Sequence, residues 1–230
     1  MYSILTGKLY IVPTPIGNLA DITFRAIEVL KSVHAVLAED TRQTKKLLDH
    51  YKVVQKLIPY HQHNEHKSVH TIIDKISNGQ NYALCTDAGT PGISDPGFLI
   101  IREAIKTGIK VVTLPGAVAA IVGVVGSGLP CDTFIYEGFL PHKKGKQTKI
   151  KQLLNEKRTT IFYESPHRIL KTIQLIHDLL GAERKLVIGR ELTKKYEEYI
   201  RGNSSEILEH FKHHEPKGEF VLMIAGHDTK

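Results

Sequence analysis

Three carboxylates stand where apolar, strand-like segments of this chain end, and each is followed by basic side chains. Glu137 opens Glu-Gly-Phe-Leu-Pro-His-Lys-Lys-Gly-Lys146, Glu164 sits in Tyr163-Glu-Ser-Pro-His-Arg168, and Glu191 sits in Gly189-Arg-Glu-Leu-Thr-Lys-Lys-Tyr196. A carboxylate at a strand end can accept a proton from a hydroxyl, and lysine or arginine beside it can hold a phosphate. Each set is also compatible with a helix cap followed by surface lysines. Three such ends together look more like a lined cleft. Lys194 joins Glu137, Glu164 and Glu191 as an acid-base candidate on condition that its pKa is lowered.

A second group of residues offers backbone rather than side chains. Pro13-Thr-Pro-Ile-Gly-Asn18, Asp87 to Gly97, and Pro115-Gly116 each follow a predicted strand, over Gly7 to Val12, Tyr82 to Thr86 and Val111 to Leu114. Glycine lets a ligand approach the main chain and proline fixes loop shape, so three such loops at one sheet edge would form a rigid, backbone-lined pocket. Glu39-Asp-Thr-Arg42 follows another strand-like run, Val33 to Ala38. Asp40 reads as the cap of the next helix, whereas Arg42 either pairs with Glu39 or meets a substrate. His61, His63, His66 and His70 fall within ten residues, but cysteine is absent nearby and Glu65 is the one close carboxylate, so a polar loop entering a helix is favoured over a metal site. Neither Gly-x-x-x-x-Gly-Lys-[Ser/Thr] nor a strand-linked Gly-x-Gly-x-x-Gly occurs, which disfavours a nucleotide triphosphatase or an NAD(P) enzyme.

The elements that must carry these residues alternate. Helical spacing runs over Asp21 to Leu30, Asp40 to Asp49, Lys67 to Ser77, Phe98 to Ile105 and Ala117 to Val125, between the strands above and a short apolar Leu57-Ile58. Strands alternating with helices predict a parallel, doubly wound sheet whose ligands lie outside the carboxyl ends of its strands. Beyond Gly126-Ser-Gly128 the character changes. Strands are predicted at Thr133 to Tyr136, Thr159 to Tyr163, Leu186 to Gly189 and Glu219 to Ala225, with helices over Ser165 to Leu180 and Ser204 to His214. The boundary is set at residue 116, giving α/β halves 1–116 and 117–230.

Composition narrows the partners. The net charge of +7 is uneven: residues 1–140 hold 13 Lys+Arg against 12 Asp+Glu, and residues 141–230 hold 18 against 12. Clustered positive charge in the second half suits a partner bearing phosphates or carboxylates. Cys85 and Cys131 make no disulfide framework and suggest a reducing compartment, with the cytoplasm the default. The most apolar stretch, Val111 to Leu129, is broken by Pro115 and Gly116, so no membrane span is expected. The N-terminus lacks the pattern of a signal peptide.

Taken in order, Val12-Pro-Thr-Pro-Ile-Gly-Asn-Leu19, Ala38-Glu-Asp-Thr-Arg42, Asp87-Ala-Gly-Thr-Pro91 with Ile93-Ser-Asp-Pro-Gly97, Ser127-Gly-Leu-Pro130, Glu137-Gly-Phe-Leu-Pro141, Tyr163-Glu-Ser-Pro-His-Arg168 and Arg190-Glu-Leu-Thr-Lys194 closely resemble the 16S ribosomal RNA cytidine-2′-O-methyltransferases. The match runs from about residue 7 to residue 226. The resemblance implies the tetrapyrrole methylase superfamily: an N-terminal mainly parallel α/β domain, a C-terminal mixed one, S-adenosylmethionine in the cleft between them, and a homodimer. It implies cofactor contacts at Pro13, Pro15, Gly17, Asn18, Asp87, Ala88, Gly89, Thr90, Ser94, Asp95, Pro115 and Gly116. RNA contacts are expected at Arg42, Lys143, Lys144, Lys146, Arg168, Lys194 and Lys195, and no metal is needed. The substrate implied is 16S rRNA in the small ribosomal subunit. A tetrapyrrole C-methyltransferase and a non-catalytic S-adenosylmethionine-binding module are the alternatives. This chain departs from the family pattern at Ala117-Val118, where Pro-Ser is usual, and at Gly92, where a larger apolar residue is common. Many members also continue into a small helical domain past the last strand, and RNA affinity from such a segment would have to come from elsewhere.

Overall fold

The computed structural model describes residues 6–142 and 145–229, so Lys143 and Lys144 lie outside the described residues. The chain divides into two compact units, one reaching to Val118 and the other beginning at Ala119.

In the first unit β1 (Lys8–Ile11), β2 (Ala35–Ala38), β3 (Leu57–Pro59), β4 (Tyr82–Cys85) and β5 (Lys110–Thr113) form a sheet of order β3-β2-β4-β1-β5. All of its pairings are parallel. Between the strands lie α1 (Phe24–Ser32), α2 (Thr41–His50), α3 (Glu65–Ser77) and α4 (Phe98–Lys106). A parallel sheet buried on both faces reads as unbroken apolar runs, and alternate residues go to opposite layers. Leu9, Ile11, Leu37 and Leu84 pack with Ile72, Ile76 and Ile100 of α3 and α4. Their neighbours Val12, Val36, Ala83 and Cys85 pack with Ala26, Leu30 and Leu48 of α1 and α2.

The predicted start of α1 at Asp21 is corrected to Phe24. Asp21 closes a separate 3₁₀ turn, and the Thr23 hydroxyl caps α1 by accepting the Ala26 N–H at 3.1 Å. Asp40 caps α2 as expected, accepting the Arg42 N–H at 2.8 Å.

The second unit holds α5 (Ala119–Ser127), β6 (Phe134–Phe139), α6 (Gly145–Lys151), β7 (Thr159–Glu164), α7 (Ile169–Leu180), β8 (Lys185–Arg190), β9 (Glu198–Asn203), α8 (Ser204–His213) and β10 (Phe220–Ile224). Its sheet, ordered β6-β7-β10-β8-β9, is mixed: β6 and β7 are parallel, and the remaining pairs are antiparallel. The carboxyl ends of β6, β7 and β8 therefore share one sheet edge with the start of β10.

Two elements were not legible in the sequence. Edge strand β9 pairs with β8 and buries only Ile200, so its sequence EYIRGN carries little alternation. Helix α6 reads as a basic loop, yet it delivers Ile150 into the core beside Phe162 and Ile173. Inside this unit the buried guanidinium of Arg184 donates to the carbonyls of Ala225 at 3.1 Å and of Leu153 and Leu154 at 3.0 Å each. It closes the chain that follows α6 onto the end of β10. Arg184→Ala removes a donor from three carbonyls, of which, among the described residues, Leu153 alone keeps another, the Glu156 N–H at 3.3 Å, and should cost about 2–3 kcal/mol in urea unfolding; a loss under 1 kcal/mol would contradict this role.

Candidate functional site

The first unit gathers its glycine- and proline-rich loops where β1, β4 and β5 end. Thr14 and Gly89 exchange backbone hydrogen bonds, N–H to O at 2.8 and 3.1 Å, and the Thr14 hydroxyl donates to the Thr86 carbonyl at 3.1 Å. The loop after β5 is tied in by Thr90, whose hydroxyl donates to the Ala117 carbonyl at 2.9 Å. Gly116 lies so close to Pro13 that a Cβ on it would sit 2.3 Å from the proline Cβ. Gly89 (φ +93°) needs the left-handed region for the same junction.

Of the residues expected here, Pro13, Pro15 and Gly89 are buried and build the junction. Gly17, Asn18, Asp87, Ala88, Ser94, Pro115 and Gly116 are exposed, and Thr90 and Asp95 are half-buried. The Asn18 side chain caps the following 3₁₀ turn through the Ala20 N–H at 3.1 Å. Gly92, one of the two departures from the family pattern, has open space around it but φ +88°, so a side chain is opposed there by backbone strain and not by crowding.

Acids collect beside these loops. The Asp40 N–H donates to Asp87 Oδ1 at 3.0 Å, and the Asp87 N–H points to Glu39 Oε2 at 3.4 Å, which joins the ends of β2 and β4. Burial raises the pKa of Asp95 to about 7, with the charges of Glu39 and Asp87 adding to it. Burial also raises Glu39 and Asp87. Asp40 is different, being held near 2 by the Arg42 guanidinium bonded to it at 2.6 Å. Arg42 therefore pairs with Asp40 rather than with Glu39, while its side chain stays 86% exposed. His61, set aside in the sequence, stands just past β3 near enough to lower Glu39, and its Nδ1 is buried without a partner. Its sequence signals are the histidine cluster it opens and its place after a strand. Among the described residues no three His, Cys, Asp or Glu side chains gather as a metal site.

The second unit presents its three strand-end carboxylates in three different states. Glu164, with its side chain 0% exposed, accepts from the Thr172 hydroxyl at 2.7 Å and the Ser165 N–H at 3.0 Å. Arg168 Nε lies 3.1 Å and Lys146 Nζ 3.6 Å from its oxygens. Burial lowers the Lys146 pKa and the Glu164 charge opposes the shift. Arg168 also donates to the Leu140 carbonyl at 2.6 Å. So Lys146 and Arg168, expected to face RNA, turn inward to one buried acid.

Glu137 pairs with Lys149 at 2.7 Å and remains partly exposed. Glu191 bonds Lys194 Nζ at 2.9 Å; burial pushes its pKa up, but Lys194 and the Glu219 amide outweigh that and hold it low. Lys194 is raised, because Glu191 and Glu219 outweigh its own burial. The condition for Lys194 to act as a base is thus not met: it is a fixed cation. Lys195 is exposed, with its ammonium 5.4 Å from the centre of the Tyr196 ring.

The fold and the interlocked loops define a class. With a TM-score of 0.75 at 13% identity, the structure resembles the crystal structure of a diphthine synthase over 96% of this chain and 90% of that one. The model of the tetrapyrrole (corrin/porphyrin) methylases matches residues 8–208. Ribosomal RNA small subunit methyltransferase I of Escherichia coli O157:H7 is 50% identical over 97% of this chain and 79% of its own length. The Synechocystis protein of the same name is 47% identical over 96% and 79%. The chain belongs to the tetrapyrrole methylases and, within them, to the ribosomal RNA small subunit methyltransferase I proteins; it is a methyltransferase. Among the described residues no helix is long and apolar enough to cross a membrane.

Two measurements test these assignments. The folded pKa of Asp95, about 7, lies above its ordinary 3.8, so the fold holds that proton more tightly than the unfolded chain. That stability is complete below about pH 4 and is lost as pH rises through 7. Asp95→Asn should therefore gain about 1 kcal/mol over the parent at pH 8, after discounting for solvent screening, and nothing at pH 4. Equal gains at both pH values in urea titrations would contradict it. Glu164→Gln leaves two part-buried cations without their anion and should destabilise by about 2–3 kcal/mol; a variant as stable as the parent would show that the network is dispensable.

Proposed function

We propose that this chain transfers the methyl group of S-adenosylmethionine to the ribose 2′-oxygen of a cytidine in 16S rRNA of the small ribosomal subunit. The observation that carries the reading is the 50% and 47% identity, over nearly the whole chain, to proteins named for methylating small-subunit ribosomal RNA. The cofactor fits the loops after β1, β4 and β5: an exposed rim of main chain, and three neighbouring acids, Glu39, Asp87 and Asp95, whose pKa values are raised by burial and further by one another's charge. Such a field favours a ligand carrying a sulfonium and an ammonium. Bound there, S-adenosylmethionine supplies an electrophilic methyl on a cationic sulfur.

The chain's own part is to align the hydroxyl and take its proton, and alignment alone can contribute several kcal/mol. Glu137, paired with Lys149 and partly exposed, is the strand-end carboxylate best suited to accept that proton. Glu164 is saturated and buried, and Glu191 is clamped by Lys194. Among the described residues Lys194, Lys195 and Arg42 are left to meet RNA phosphates, with Lys143 and Lys144 beside them in the proposal. The cytoplasm and a homodimer complete the reading; Phe98, 70% exposed, and Ile105 on the same helix offer apolar surface for a second copy.

Small subunits from a strain lacking this enzyme, incubated with labelled S-adenosylmethionine and the protein, should acquire one label on a single cytidine 2′-oxygen. A porphyrinogen in a parallel tube should stay unlabelled. Label in the porphyrinogen, or in neither tube, would overturn the reading.

A further inference from the structure

The turn that carries Lys194 is built against its own backbone preference. Glu191 (φ 49°) and Thr193 (φ 65°) both occupy the left-handed region, and among the described residues Lys52 and Ser94 are the only other non-glycines with positive φ. A β-branched residue crowds its backbone there, whereas glycine would take the conformation freely. The backbone conformation at 193 therefore favours glycine over threonine. Its hydroxyl is buried and has no hydrogen-bond partner. A polar group so placed disfavours the conformation that hides it.

Charge holds this turn shut. The Glu191 N–H donates to the Glu219 carbonyl at 3.0 Å, and the Glu219 N–H donates to Glu191 Oε1 at 2.9 Å. The Thr193 N–H donates to Glu197 Oε2 at 2.6 Å. Lys194 Nζ donates to Glu191 Oε1 at 2.9 Å and to Glu219 Oε2 at 3.0 Å. One carboxylate is enough to neutralise this ammonium. The second belongs to a side chain that is 80% exposed, and it covers the cation with an anion that solvent or a ligand can displace.

We propose that Glu219 and Thr193 are substrate-positioning residues that set the affinity for RNA: the strained turn is a rest state in which Glu219 occupies the Lys194 ammonium. An RNA phosphate displaces the Glu219 carboxylate, Lys194 stays paired, and the turn relaxes, which frees the Thr193 hydroxyl to find a partner. Strain in the rest state offsets the loss of the ion pair. The exchange affects binding and not methyl transfer itself, so it should appear in KM and leave kcat alone. The proposal rests on the RNA-methylating reading above.

The full-length protein and small subunits lacking the modification provide the test. Glu219→Gln keeps the Glu219 backbone bonds and the Glu191–Lys194 pair. It should lower KM about threefold, the scale of one exposed ion pair, with kcat unchanged. Its dependence of log KM on log salt should steepen by about 0.7, because one more cation then waits for a phosphate. Thr193→Gly relaxes the rest state, so Tm should rise while KM rises. An unchanged or higher KM for Glu219→Gln, or a Thr193→Gly protein whose Tm fails to rise or whose KM stays put, overturns the proposal. If the parent protein leaves the subunits unlabelled, it is the RNA reading that fails; a labelling parent with variants that do not shift sinks the turn mechanism alone.

Discussion

Thr14 and Gly89 trade backbone hydrogen bonds as an antiparallel bridge just beyond β1 and β4, two strands that run parallel to each other. That reversal turns both loops back across the sheet edge. Everything else in the first unit's site hangs from this junction. Thr90 can reach Ala117 because the loop after β4 is fixed, and Gly116 can lie against Pro13 because the loop after β1 is fixed. Asp87 then stands where the amide of Asp40 can bond it. The acids at this edge are part-buried and close together as a result; burial, with their mutual charge added, raises Glu39 and Asp87 and takes Asp95 to about 7. A backbone contact thus determines the electrostatics of the pocket.

The second unit handles charge in the opposite way. Its cations are numerous in the sequence, but several are paired with the protein's own carboxylates. Lys146 and Arg168 neutralise Glu164, Lys149 pairs with Glu137, and Lys194 is shared by two carboxylates. A formal excess of +6 beyond residue 140 is therefore no measure of the cation surface open to a phosphate. Burial separates the roles: a lysine at a buried acid secures the fold, whereas one at an exposed acid can change partners.

Much of the architecture was legible in the chain itself. Unbroken apolar runs at Ala35–Ala38 and Tyr82–Cys85 alternate with helical spacing and capping residues, which is how a parallel sheet covered on both faces must read. The placement of glycine and proline loops after those runs followed from topology, since parallel strands send all their exits to one edge. Strand β9 and helix α6 are not legible because a six-residue strand or a seven-residue helix with one buried side chain, Ile200 or Ile150, carries little periodicity. Asp21, an acid suited to a helix start, ends the 3₁₀ turn instead, and the Thr23 hydroxyl caps α1.

What the sequence determined alone was the set of residue types at each strand end and the class of chemistry they allow, because those depend on local pattern and composition. Which of them were free to act was decided by tertiary structure. Glu137, Glu164 and Glu191 look alike in the chain, each an acid followed by bases. Folding buries one among two cations, leaves one beside a lysine at the surface, and locks one into a strained turn. Protonation and availability depend on dielectric and on neighbours distant in sequence, and only the packed chain brings those neighbours together.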